Sequence, residues 1–191
     1  MSRAARTEAS LTVDDLAALP QEAGTRYELI DGELHVTSQP HEAHQFIATN
    51  IASLLWMWNQ QRGAGRVYGS PPGVVFGPGD AVAPDVVWVS AARVPSLVRE
   101  GKLYGAPDLM VEILSAGSAN TSRDRTRKLT QYDTYGVQEY WIVDRFAQTV
   151  EAYRRDEMGR LTLAQTYTRD DELTSPLLPD FACRVAAFFG L

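Results

Sequence analysis

The sequence predicts an α/β (α+β) protein in which helices flank a central mixed β-sheet. A strand, a helix and a second strand, EYWIVD, follow one another between residues 109 and 144, the pattern of a crossover unit. TVEAYRR and RLTLAQTYT then read as antiparallel strands that close the sheet, together with a short apolar C-terminal segment. Residues 41–61 add one long amphipathic helix.

Each element has a local cause. Thr12 can cap a short helix over residues 12–19, with Asp15 at capping-box spacing and Pro20 at its end. RYELI and ELHVT flank Asp31 and Gly32, residue types that tolerate positive φ, so residues 26–37 form a two-residue hairpin. In the long helix Ile47, Ile51, Leu54, Leu55 and Trp58 recur at three- and four-residue intervals, and Gly63 and Gly65 end it. RVYGS, GVVF and DVVWVS are short strands separated by Pro and Gly, whereas residues 91–105 read as a connection with some helical character. After the strand at 109–114, a Gly- and Ser-bearing turn leads into a helix over residues 120–135 that stops at Gly136.

The chain has 191 residues, of which 45% are hydrophobic and 22% charged, so one globular domain over residues 1–191 is expected. A net charge of -6 argues against coating nucleic acid by bulk electrostatics, but not against a nuclease, whose metal-holding carboxylates lower the sum. Cys183 is the only cysteine, which rules out an internal disulfide or a cysteine-based zinc site and points to a reducing compartment, the cytoplasm. MSRAARTEASL lacks an apolar signal core, and no apolar run approaches the ~20 residues of a membrane span. No membrane partner is expected.

Charge placed where the pattern calls for burial marks the candidate site. Asp85 follows Pro84 at the entrance to VVWV, and Glu112 interrupts VEIL on the face it shares with Met110 and Leu114. Pairing of their strands brings the two carboxylates together. On the following helix Asp124, Lys128, Tyr132 and Tyr135 fall along one stripe, so Lys128 is drawn toward the sheet and toward Glu112. Two arrangements answer the question of the buried carboxylate: Lys128 neutralises Glu112, or Asp85 and Glu112 hold a divalent cation beside Lys128. The second suits Mg²⁺ or Mn²⁺, which take oxygen ligands, and it suits attack on a phosphodiester.

Glu28, His44 and Asp124 are candidate accessory residues, and Arg123, Arg125 and Arg127 make a local positive excess suited to phosphates. His41 and His44 stand one turn apart; that spacing permits a metal pair, but the reading it favours is a hydrogen-bonded histidine at a helix start. Ser115 lacks the G-x-S-x-G elbow of a serine hydrolase, and Trp56, Trp58 and Trp141 read as core or interface aromatics.

Taken together, RYELIDGEL, APDVVWVS, PDLMVEILS, RDRTRKLTQYDTYGV and QEYWIVD resemble the Uma-two family, part of the PD-(D/E)XK nuclease-like superfamily, over roughly residues 11–189. The resemblance implies a restriction-endonuclease-like core with Pro84-Asp85 as the PD element, Glu112 as the second acid, and the backbone carbonyl of Ile113 as a metal contact. The usual lysine two residues after that acid is replaced by Leu114, and Lys128 looks like its migrated equivalent. The activity implied is a Mg²⁺- or Mn²⁺-dependent endonuclease acting as a homodimer on DNA, with RNA as the third possibility for the same metal site, and with Asp85, Glu112 and Lys128 as catalytic residues. The alternative is a non-catalytic binding or assembly module whose acid-lysine cluster is structural.

Overall fold

The computed structural model describes residues 10–20, 24–38, 40–70, 73–116 and 123–190. Helix α1 (Val13–Ala17) carries the capping box: the Thr12 hydroxyl accepts from Asp15 N at 3.3 Å, and the Asp15 carboxylate accepts from Thr12 N at 2.8 Å. Strands β1 (Thr25–Ile30) and β2 (Glu33–Ser38) form the expected hairpin. Its turn holds Asp31 at φ 54° and Gly32 at φ 72°, and a Cβ on Gly32 would lie 1.7 Å from the Ser10 hydroxyl, so only glycine fits.

Helix α2 (Glu42–Arg62) starts at His41, whose Nδ1 accepts from Ala43 N at 3.1 Å, and ends at Gly63 in the left-handed region. Ile47, Ile51, Leu55 and Trp58 are buried, as their spacing requires, and Leu54 packs partly buried at the margin. There follow β3 (Gly65–Gly69), β4 (Val74–Gly77), β5 (Asp80–Val82), β6 (Val86–Ser90), α3 (Val94–Leu97), β7 (Val98–Arg99), β8 (Lys102–Tyr104) and β9 (Leu109–Ile113). A π-helical stretch, Arg123–Lys128, runs into α4 (Leu129–Tyr135), and β10 (Glu139–Asp144), β11 (Thr149–Arg155) and β12 (Leu161–Tyr167) come next. The chain closes with β13 (Glu172–Ser175), β14 (Leu178–Arg184) and α5 (Ala186–Phe189).

The central sheet has the order β12-β11-β10-β9-β6-β3, and it is mixed because β9 and β10 run parallel while the other pairs are antiparallel. One face packs on α2, α5 and the β13-β14 hairpin through Trp58, Trp88, Trp141, Phe181 and Phe188. The opposite face packs on α4 and on a second sheet, β2-β1-β5-β4-β8-β7, through Ile30, Val74, Leu103, Met110, Tyr132 and Ile142.

The expectation of a mixed sheet with flanking helices therefore holds, with differences in detail. Residues 91–105 contain α3 and then the short pair β7-β8, which joins the second sheet. The C-terminal segment forms its own two-stranded sheet, because Leu173, Leu178 and Phe181 are needed under α2 rather than at a sheet edge. The helix expected from residue 120 is π-helical up to Lys128, and its first three positions lie outside the described residues. Trp56 is 53% exposed, unlike Trp58 and Trp141.

Candidate active site

Every residue of β9 is buried, and the strand lies between β6 and β10, so Glu112 has no route to bulk water through the sheet edge. A carboxylate in such a place needs donors. It has them: Glu112 Oε1 lies 2.8 Å from Lys128 Nζ and accepts from the Tyr132 hydroxyl at 2.8 Å. Lys128 is itself buried and sits 3.0 Å from Glu28 Oε1, which also accepts from Ala83 N at 2.9 Å. One ammonium thus ties a β9 acid to a β1 acid.

Asp85 stands just before β6, hydrogen-bonded by its own N–H to Val111 O at 3.1 Å, so the antiparallel β6-β9 pairing sets it beside Glu112 in the sheet. Its Oδ2 accepts from Ile113 N at 2.8 Å and meets His44 Nε2 at 3.1 Å, while Oδ1 accepts from Arg26 Nη1 at 3.1 Å. Arg26 also donates to Ala83 O at 2.9 Å. Burial alone would raise the Asp85 pKa, but the hydrogen bond and charge of His44, the Arg26 guanidinium and the Ile113 N–H outweigh it and hold the carboxyl below its ordinary value. The Tyr132 phenol is pushed well above its ordinary value by burial and by the charge of Glu112, so it remains a donor.

These groups open onto one cleft of about 390 Å³ whose wall includes Arg26, Glu28, His44, Asp85, Glu112, Lys128 and Arg145. A second cleft of about 380 Å³, between α2 and β3, has no titratable side chain in its wall. Among the described residues, Glu28, His44, Asp85, Glu112 and Lys128 all line the first.

Carboxylates and water are the donors a small hard cation prefers, and Mg²⁺ is commonly held by only one or two carboxylates. Asp85 and Glu112 supply that number. No group of three or more His, Cys, Asp and Glu side chains converges as a metal cage among the described residues, so the fit is of the open kind. A cation here competes with Arg26 for Asp85 and with Lys128 for Glu112.

The structure thus brings together Asp85, Glu112, Lys128, Glu28 and His44, with Ile113 between the two acids and bonded to Asp85 by its N–H. The side chains of Arg123 and Asp124 lie outside the described residues. Of the expected phosphate strip, Arg125 and Arg127 diverge: Arg125 turns to Glu151 at 2.6 Å and Asp144 at 3.6 Å, while Arg127 turns the other way to Glu33 and His35. Alternate residues of a helix point apart, and each guanidinium has found a local partner. Tyr135, expected to face inward with Tyr132, is 36% exposed; its ring stacks on Phe76 at 4.8 Å and its hydroxyl donates to Asp80 at 2.7 Å.

Sequence reasoning missed Arg26, Arg145 and the bond from Tyr132 to Glu112. Arg26 was within reach, because it shares a strand face with Glu28 at spacing two.

A family profile described as "Uma2: Putative restriction endonuclease" matches residues 13–186. No curated protein matches the chain. Among solved structures, one titled as a putative nuclease belonging to DUF820 from Anabaena variabilis shares 20% identity with a TM-score of 0.74, covering 94% of this chain and 97% of that one. At that identity the likeness shows a shared fold.

Proposed function

Because the chain belongs to the Uma2 family, whose description reads "Putative restriction endonuclease", we propose that it is a divalent-metal-dependent phosphodiesterase, an endonuclease acting on DNA, with its active centre at Asp85, Glu112 and Lys128. The observation that carries this reading is the placement of two carboxylates and a buried ammonium in one open cleft on adjacent strands. Asp85 and Glu112 would hold Mg²⁺ or Mn²⁺, with the Ile113 carbonyl as a further contact. When bound, the cation supplies Lewis acidity toward the phosphoryl oxygens and toward water.

The protein's own groups do the rest. Arg26, His44 and the Ile113 N–H keep Asp85 ionised and fix its orientation. Tyr132 does the same for Glu112 by donating from a phenol that stays protonated. Lys128, fixed between Glu112 and Glu28, stabilises charge that accumulates on the phosphorus oxygens in the transition state. Two such centres can cut the two strands of a duplex together, and a homodimer would supply them.

One observation favours a second reading. Glu112 and Asp85 are already matched by Lys128, Tyr132, Arg26 and His44, as in a structural ion-pair cluster of a binding or assembly module. Calorimetric titration with Mn²⁺ separates the two. The nuclease reading expects saturable binding by the parent and loss of at least tenfold in affinity for Asp85→Asn. No Mn²⁺ binding by a folded parent would favour the module.

A further inference from the structure

Besides Lys128, which meets the reacting phosphoryl group, a nuclease centre needs a cation to receive the neighbouring backbone phosphates of the strand. Arg26 serves Asp85 and the Ala83 carbonyl, and Lys128 serves Glu112 and Glu28. Outside the cleft, Arg125 and Arg127 are neutralised by Glu151 and Glu33. Arg145 differs from all of these. It lines the same cleft as Asp85, Glu112 and Lys128, and the contact its guanidinium makes among the described residues is with the Phe146 ring. Its Nε is buried and carries no hydrogen-bond partner. A planar guanidinium with open donors in a cleft matches the paired oxygens of a phosphodiester.

The turn that carries Arg145 is held in place. Arg145 follows β10, the parallel neighbour of the strand that bears Glu112, and the Asp144 carboxylate accepts from the N–H groups of Phe146 and Ala147 at 2.9 and 3.0 Å. The Arg145 guanidinium lies over the Phe146 ring, 4.2 Å from its centroid, although that ring is 63% exposed. An aromatic side chain kept in solvent under a guanidinium orients the cation without neutralising it. A carboxylate in that position would cancel the charge the site needs.

We propose that Arg145 binds a phosphate of the nucleic-acid strand at the mouth of the cleft, with Phe146 as its positioning residue. The inference rests on the nuclease reading above and adds to it the group that holds the substrate backbone. Removing one charge-assisted contact of this kind weakens binding on the order of 10- to 100-fold. It also lowers the slope of log affinity against log salt by about one phosphate contact.

The test is fluorescence anisotropy with labelled single-stranded and duplex oligonucleotides in chelator, so that no turnover intervenes. Arg145→Gln, Arg145→Lys, Phe146→Ala, Phe146→Tyr and, as a cation outside the cleft, Arg127→Gln are compared with the parent. The expected pattern is a loss on the order of tenfold or more with a reduced salt slope for Arg145→Gln, incomplete recovery for Arg145→Lys, a smaller loss for Phe146→Ala, recovery for Phe146→Tyr, and little change for Arg127→Gln. If the parent binds and Arg145→Gln binds equally well with an unchanged salt slope, the assignment is wrong while the nuclease reading stands. A folded parent that binds neither oligonucleotide overturns both.

Discussion

Among single residues, a buried triad of charge, Glu28–Lys128–Glu112, holds the centre together. Lys128→Met leaves two buried carboxylates without their shared cation, and the loss of one partner of a buried pair costs about 3–5 kcal/mol. Glu112→Gln keeps an amide oxygen that can accept from Lys128 and Tyr132, so its cost is smaller. Urea denaturation of the two variants is expected to rank them in that order. Asp85 gives a pH signature. Its folded pKa is depressed, so its contribution to stability is fully present above the unfolded value of ~3.9 and disappears as pH falls through the folded value. The parent should lose stability more steeply than Asp85→Asn below pH ~4 in acid titrations followed by circular dichroism. Glu112 and Lys128 were legible in the sequence because strand alternation and helical spacing are local rules. Arg145 was not legible, since nothing in a turn sequence says which cleft the turn overhangs.

At the scale of elements, close approach of backbones fixes the outer strand β3. A Cβ on Gly65 would stand 2.1 Å from Val89 O and 2.9 Å from Trp88 Nε1, and the first of these belongs to the β6 backbone. Gly65→Ala therefore separates β3 from β6, with an expected loss of about 1–3 kcal/mol and a change in tryptophan emission from Trp88. The hairpin at Asp31-Gly32 and helix α2 could be read directly from turn chemistry and apolar period. The β13-β14 hairpin could not be placed, because its packing under Trp58 and Trp141 joins residues more than a hundred and about forty positions apart. The π-helical stretch before Lys128 was equally hidden, since an i→i+5 ladder differs from an α-helix by a single residue of register.

For the whole molecule, the mixed sheet acts as a partition. One face is an apolar core built on tryptophans, and the other carries the charged centre against α4 and the second sheet. Burial raises the Cys183 thiol pKa to about 12, so it should react slowly with thiol reagents at pH 8 until the protein is unfolded. Among the described residues no helix is long and apolar enough to cross a membrane. The proposed homodimer is expected to sediment at twice the 21.1 kDa chain mass at micromolar concentration.

If Asp85, Glu112 and Lys128 form a working metal-dependent nuclease centre, as proposed, the protein cleaves nucleic acid only with metal. The most direct measurement incubates the parent and Glu112→Gln with supercoiled plasmid, single-stranded DNA and RNA in Mg²⁺, Mn²⁺ or chelator. The expected result is DNA cleavage by the parent with metal, none in chelator, and at least a hundredfold slower cleavage by Glu112→Gln. Cleavage that survives chelator, or that Glu112→Gln performs as fast as the parent, would contradict it.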